Sequence, residues 1–378
     1  LSLRYDLTAP LARYVAKNYL EIPKPFKRYQ LGTVWRNEKP GPGRFREFQQ
    51  FDADFVGTKN LMADAELCLM MSEILKKCGL KDNDFTIKFS SRKILENLLD
   101  GYKITMKERR LKVLRSLDKV DRLGWEAVEK LLGPGRKDES GDFTEGADLP
   151  EDVIDDLQGQ LKYDDEETFT YDQWSKEVGG DAYQDIKSLE DSFKLFDLKN
   201  VRFDPTLIRG LEYYTGPIFE VNINFDIKNS KGKTVQFGSI GGGGRYDNLV
   251  DNFGNYDCPA TGISIGLDRL IFALMQKKDF KIKPSKPIVI CVFDKGKIKE
   301  YVDILNKLRS SNISSEIYPG EGKLKKQMEY ANKIGSPAVI LYGDNEIKSG
   351  KVTLKNLENG NESSVKIEEL VNEIKKLF

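Results

Sequence analysis

Residues 26–57, FKRYQLGTVWRNEKPGPGRFREFQQFDADFVG, decide how the fold is read. Residues 26–37 and 43–57 alternate as two strands about the turn-rich segment KPGPGR, which predicts a β-hairpin. Side chains of equal parity share one face of a strand. In the second run Arg44, Arg46, Gln50, Asp52 and Asp54 therefore point one way, while Phe51, Ala53 and Phe55 point the other, toward a core. A face with two arginines, a glutamine and two aspartates fits either a solvated surface of cross-strand ion pairs or the floor of a polar pocket. On the pocket reading, Arg36 before the turn and Arg44 after it both reach an anion held at the loop. Guanidinium forks match phosphate oxygens and stay charged at any working pH.

On the N-terminal side, Leu11, Tyr14, Val15, Asn18 and Tyr19 fall at helical spacing, and Pro23 and Pro25 are expected to stop that helix. On the C-terminal side, residues 61–78 form an amphipathic helix with Leu67, Met70, Met71, Ile74 and Leu75 on one face and Gly79 as its stop. From about residue 82 to 195 the pattern is helical and charged, as in an inserted module with a solvated loop. Strands return at 201–245, where Phe219, Val221, Ile223, Phe225 and Ile227 alternate with polar residues, and a partner strand ends in SIGGGGRYD. Residues 259–276 pass from the short strand GISIG into a helix, and KKDFKIKPSKP reads as a linker. Beyond it the order βαβαββα predicts a small α/β domain with a mostly parallel sheet.

The chain has 378 residues, enough for two or three domains with their own cores. No run approaches 18 apolar residues, so no membrane-spanning helix is expected. Residue 1 is Leu, and LSLRYDLTAP resembles neither a signal nor a transit peptide, so the chain is expected to begin inside a domain. Cys68, Cys78, Cys258 and Cys291 lack CxxC spacing, which favours a reducing, cytoplasm-like compartment over a disulfide framework or a zinc site. There is no histidine, which excludes imidazole bases and ligands, and with them serine triads and HExxH zincins. Chemistry must run on Arg, Asp, Glu, Tyr, backbone amides or an oxygen-held metal. The net charge of zero is an average: residues 138–172 hold fourteen acids and one base, whereas 286–378 hold sixteen bases and thirteen acids.

Other elements could serve the same pocket. Arg209 lies in TLIRGLEYYTGPIFE, ahead of Tyr213 and Tyr214, although a single arginine is more often a surface ion-pair partner. Arg269 opens the helix after GISIG, where backbone N–H groups favour an anion. Gly241–Gly244 permit close backbone approach by a ligand. No GxxxxGK[ST] sequence occurs, because the one GKT triplet, at 232–234, has Ile227 where a P-loop has glycine, and no strand-GxGxxG-helix unit supports a Rossmann site. An antiparallel sheet with converging arginines, carboxylates and tyrosines fits phosphoryl or nucleotidyl transfer, which depends on positioning and charge stabilisation.

These segments carry a resemblance. FKRYQLGTVWRNEKPGPGRFREFQQFDADFVG resembles motif 2 of class II aminoacyl-tRNA synthetases, and GISIGLDRL is similar to their motif 3. LIRGLEYYTGPIFE and GGGGRYDNLV resemble the two histidine-specific motifs of histidyl-tRNA synthetases, and LSLRYDLTAPLARY matches the segment after motif 1 of that family. The resemblance implies an α+β catalytic domain in two parts, 1–80 and 199–280, around a helical insertion at 81–198, with an α/β anticodon-binding domain at 286–378. It implies ATP-dependent ligation of L-histidine to tRNA(His) through a histidyl-adenylate, with Mg2+ accompanying the nucleotide. It also implies a cytoplasmic homodimer joined through the catalytic domain and a preceding motif 1 that lies outside this sequence.

Carried onto matching positions, the resemblance assigns Arg36 to the ATP α-phosphate and the histidine carboxylate, and Glu38 to the adenine amino group. Arg44 and Arg269 take the β- and γ-phosphates, and Arg209 stabilises charge on the α-phosphate. Asp6, Thr8 and Gln50 take the α-amino group. Asp54 and Tyr214 take the imidazole nitrogens, beside Tyr213 and Gly242. Position 49 is Gln where some members carry histidine. The alternative is a regulatory paralogue without catalysis. Such paralogues lack the anticodon-binding tail and parts of the arginine motif, whereas all four arginines are present here.

Overall fold

The alternation of residues 26–57 becomes β1 (Phe26–Trp35) and β2 (Glu47–Val56), antiparallel in a register that sets Arg28 opposite Asp54 and Gly32 opposite Gln50. The computed structural model describes residues 2–137, 141–161, 180–207, 213–229, 231–277, 280 and 286–377. The chain forms two compact units, Leu1–Phe280 and Lys281–Phe378.

The first unit is built on a seven-stranded sheet. Besides β1 and β2 it contains β3 (Phe85–Ser91), β4 (Val201–Phe203), β5 (Pro217–Ile223), β6 (Gly241–Arg245) and β7 (Ala260–Gly266), in the order β1-β2-β7-β6-β5-β3-β4. Every neighbouring pair is antiparallel except β3 with β4. The odd-numbered face of β2 behaves as its parity requires. Ala53 and Phe55 join a core with Leu67, Met71 and Leu75 of α2 (Met62–Lys77). Helices α3 (Arg92–Gly101), α4 (Lys107–Leu117), α5 (Trp125–Leu132), α6 (Glu151–Leu161) and α7 (Gly180–Leu195) make up the helical stretch. Their Leu99, Val113, Leu132, Leu157 and Leu189 belong to that same apolar cluster. Helix α8 (Leu267–Gln276) follows β7 directly and adds Leu270, Ala273 and Leu274 to it. On the other side of the sheet, Leu11, Ala12 and Val15 of α1 (Thr8–Lys17) pack with Val56, Tyr246 and Cys258.

Three local expectations are corrected. The first helix ends at Lys17 rather than near Pro23, because the Asn18 side chain donates to the Tyr14 carbonyl at 2.8 Å and its backbone N–H also folds back onto the last turn. Residues 85–91, inside the stretch read as helical, form a strand. Phe85, Ile87 and Phe89 are buried there between β4 and β5, a pattern of period two that the surrounding charge obscured. The strand expected to run through Ile227 stops at Ile223, and Asn224 turns its amide to Asn83 and Thr86.

The second unit has β8 (Ile288–Cys291), β9 (Ser315–Ile317), β10 (Ala338–Leu341), β11 (Lys351–Asn356) and β12 (Glu362–Lys366) in the order β9-β8-β10-β11-β12. The pairs β8–β9 and β8–β10 are parallel, whereas β10–β11 and β11–β12 are antiparallel. Helices α9 (Ile298–Ser310), α10 (Leu324–Lys333) and α11 (Leu370–Lys375) flank it, with a short helix at Asp344–Ser349. The strand β12 and that short helix are additions to the expected order. Only Val365 of β12 is buried, which leaves too little hydrophobic signal to read.

Candidate functional site

The even-numbered face of β2 lies under a cavity of about 430 Å³. Eleven of the twelve candidate residues line it: Asp6, Thr8, Arg36, Glu38, Arg44, Gln50, Asp54, Tyr213, Tyr214, Gly242 and Arg269. The twelfth, Arg209, lies outside the described residues. The pocket reading of the hairpin therefore prevails over the solvated-face reading. Two residues of that parity do not line the cavity: Asp52 is buried, and Arg46 is exposed, because the strand starts only at Glu47 and the preceding turn closes through a Gly41–Arg44 bridge. Asp118, just after α4, also lines the cavity, so the helical stretch contributes to the site.

At one end the cavity is cationic. The guanidinium of Arg36 sits 4.5 Å over the Tyr5 ring, and its Nε donates to the Tyr5 carbonyl at 3.2 Å. Glu38 bridges Arg36, at 4.0 Å, and Arg44, at 3.4 Å, which holds the two hairpin arginines side by side. Arg269 enters from the first turn of α8, donates to the Phe237 carbonyl and lies 4.3 Å over the Phe237 ring. Its Nε is buried and makes no hydrogen bond to a described residue. Burial, helped by the like charge of Arg44, brings the Arg269 guanidinium down to about 10, so it is still a cation at neutral pH and gains from an arriving anion. The helix is held in place by Asp268, whose carboxylate accepts the backbone N–H of Gln49 at 2.8 Å.

At the other end the cavity is acidic. Asp54 is 2 % exposed. Its Oδ1 accepts the Tyr246 hydroxyl at 2.5 Å, and its Oδ2 lies 3.1 Å from Arg28 Nε. That ion pair has the distance but not the alignment of a hydrogen bond, and Oδ2 accepts none from any described residue. Burial outweighs Arg28 and pushes the Asp54 carboxyl up to about 7. Gly262 faces it across the sheet, where an added Cβ would fall 2.1 Å from Asp54 Oδ1, so only glycine leaves room for this carboxylate. Asp6 accepts the Ala9 N–H at 3.0 Å at the start of α1, which places it and Thr8 at the rim. Burial also pushes the Tyr213 phenol well above its ordinary value, against a hydrogen bond from Thr8.

Between the two ends lies Gln50. Its Oε1 accepts from Arg36 Nη2 at 3.3 Å, and its Nε2 donates to Asp52 Oδ1 and Ser264 Oγ, both at 2.8 Å. Parity along β2 alone does not show Arg28, Tyr246 or Ser264: Arg28 meets Asp54 through the hairpin register, Ser264 meets Asp52 through the β2–β7 pairing, and Tyr246 reaches Asp54 from just beyond β6. The tyrosine of GGGGRYD was the one available signal. In that motif Arg245 is structural: it is buried against Asp64 at the start of α2 and donates to the Thr58 carbonyl at 2.8 Å. Gln49 points away from the cavity and donates to Thr33 Oγ1 at 2.8 Å.

An antiparallel sheet here joins an arginine-lined anion end to a buried acidic recess, the arrangement that the resemblance to class II aminoacyl-tRNA synthetases implies. The family profile described as Histidyl-tRNA synthetase matches residues 1–270, and the one described as Anticodon binding domain matches residues 287–377. A histidine–tRNA ligase of Bartonella henselae is 45% identical over 95% of this chain and 75% of its own length. One of Brucella suis is 44% identical over 98% of this chain and 76% of its own. The crystal structure of the histidyl-tRNA synthetase of Nostoc sp. PCC 7120 superposes with a TM-score of 0.78 at 25% identity, covering 99% of this chain and 83% of that one. The chain belongs to the histidyl-tRNA synthetase family. Its reaction is the ATP-dependent aminoacylation of tRNA(His).

Proposed function

We propose that the cavity binds histidine at its Asp54 end and ATP at its Arg44–Arg269 end, and joins them as histidyl-adenylate. The observation that carries this reading is Asp54, a buried carboxylate that lines the cavity and whose Oδ2, ion-paired with Arg28 at 3.1 Å, accepts no hydrogen bond from any described residue. An imidazole N–H supplies the missing donor, with Tyr214 facing the other ring nitrogen and Tyr213 and Gly242 shaping the recess. Asp6, Thr8 and Gln50 hold the α-amino group. Arg36 draws the histidine carboxylate and the α-phosphate together, Glu38 receives the adenine amino group, and Arg44 and Arg269 take the β- and γ-phosphates. A carboxylate oxygen attacks the α-phosphorus and pyrophosphate leaves. The terminal ribose hydroxyl of tRNA then attacks the acyl carbon and AMP leaves. Arg209 is assigned to charge on the α-phosphate by sequence alone.

Mg2+ is read as accompanying the nucleotide substrate, as the family resemblance implies. We read the enzyme as a homodimer, a reading supported by Tyr29 and Leu31, which are exposed on β1 at the edge of the sheet. Four unpaired cysteines support a cytoplasmic location. The domain division at 80, 198 and 280 is proposed with it. The test is histidine-dependent ATP–pyrophosphate exchange: Asp54→Ala should raise the histidine KM by about 100-fold, because a recess built around a ligand N–H rejects mismatched pairing strongly. An unchanged histidine KM would remove the imidazole assignment.

A further inference from the structure

Glutamine is ambiguous as a ligand, because its amide presents an acceptor or a donor with nearly the same shape. A residue that holds an ammonium group must show its oxygen. Nothing within Gln50 decides which end faces the cavity; its neighbours do.

Asp52 and Ser264 are direct cross-strand partners on β2 and β7, on the same face as Gln50. Asp52 is buried and does not line the cavity. The Ser264 hydroxyl donates to Asp52 Oδ1 at 2.6 Å, so its one proton is committed. What Ser264 then offers Gln50 is a lone pair, and a carboxylate offers nothing else. Gln50 Nε2 donates to both, at 2.8 Å each, and Oε1 is left facing Arg36 and the cavity. Reversing the amide would set its oxygen against two acceptors at once. The opposite partner of Ser264 on β6 is Gly242, so no side chain from that strand competes for the hydroxyl.

We propose that Asp52, acting through Ser264, is a positioning residue that fixes the polarity of the Gln50 amide and thereby makes the site selective for a ligand bearing an α-amino group. The proposal rests on the reading that Gln50 holds that group. It makes Asp52 a specificity determinant that need not touch the substrate.

The test compares two ligands that differ only in the α-amino group. L-Histidine is assayed by its KM in ATP–pyrophosphate exchange, and 3-(imidazol-4-yl)propionate by its Ki as a competitor in the same assay. The ratio Ki/KM is the amino preference. Asp52→Asn, which can donate as well as accept, should lower that preference by about tenfold. Adding Gln50→Glu to Asp52→Asn places an oxygen at both ends of residue 50 and a donor at 52, and should restore the preference to within about threefold of the parent. Ser264→Ala, which removes one of the two contacts without touching a charge, should lower it by roughly threefold.

An Asp52→Asn enzyme with the parent preference overturns the proposal. So does a loss that the double variant fails to recover, since that is the behaviour of a merely disturbed pocket. If Asp52→Asn does not fold, Ser264→Ala decides, and an unchanged preference there overturns it. Gln50→Ala separates the two levels: a preserved preference in that variant means that Gln50 does not hold the amino group.

Discussion

In residues 1–280 the buried polar side chains include Asp6, Asp52, Asp54, Asp64 and Arg245, whereas among the described residues of the second unit they are Ser315, Gln327 and Ser336. The first unit takes whole charged side chains out of water, whereas the fully buried polar side chains among the described residues of the second are neutral. Gln327 shows how such a neutral side chain is satisfied. Its amide accepts the Val292 N–H at 2.8 Å and donates to the Val292 carbonyl at 2.7 Å, closing a backbone edge without charge. The contrast follows from what each unit handles. Recognition of a small polar molecule needs fixed charges where water cannot screen them. A unit that meets a nucleic acid works from its surface, and residues 286–378 carry sixteen bases against thirteen acids.

Buried charge has a cost that can be measured. The largest expected effect is at the Arg245–Asp64 pair, where both side chains are almost fully enclosed. Asp64→Ala removes the more deeply buried of the two carboxylates on Arg245, leaving Asp247 at 3.3 Å, and should destabilise the first unit by about 3 kcal/mol in urea unfolding. A loss as small as that of a surface pair would break the contrast. Next, removing residues 281–378 should leave pyrophosphate exchange within about threefold of the parent while lowering tRNA charging by roughly 100-fold, because one of two linked tRNA contacts is gone. An equal fall in both activities would mean that the tail serves the catalytic centre as well.

A smaller effect separates the units by pH. Asp54 is pushed up to about 7 and Asp64 to about 6, each from an ordinary 3.8 and each chiefly by burial. A carboxylate raised on folding binds its proton more tightly in the folded state, so its penalty is absent below the unfolded value and complete above the folded one. The first unit should therefore gain stability as pH falls from 7.5 to 5.5, by about 1–2 kcal/mol or a few degrees in melting temperature. In the second unit the shifted carboxylates Glu321, Asp344 and Glu346 are held below their ordinary range, and their contribution is lost only at more acidic pH. Calorimetry should show one transition that moves across this interval and one that does not. Parallel movement of both would count against the assignment. The smallest effect is at Asp344, whose ion pair with Lys297 lies on the surface. Asp344→Asn should leave the second transition where it was.

Much of this was legible in the sequence, and what was not has a common cause. The alternation of FQQFDADFV placed Gln50, Asp52 and Asp54 on one face, and that face lies against the cavity. The short run FTIKFSS lost its strand signal to neighbouring charges, and ESSVK carried only one buried apolar residue. Within the site, Arg28 and Ser264 reach the β2 carboxylates through strand register, and Tyr246 reaches Asp54 from just beyond β6. Register is set by pairings that bring together residues as far apart as 52 and 264, and no local pattern encodes it.

The same register governs when the enzyme comes into being. Strand β2 lies between β1 and β7, and Val56 is paired with Ala260, so its inner edge has no partner until more than 200 further residues have been made. At a synthesis rate of roughly 5–20 residues per second that interval lasts on the order of 10–40 s. Throughout it a strand bearing Phe51, Ala53 and Phe55 presents open hydrogen-bonding groups to the surroundings, the condition in which edges pair with the wrong chain. The floor of the cavity is thus among the last parts of the first unit to be completed.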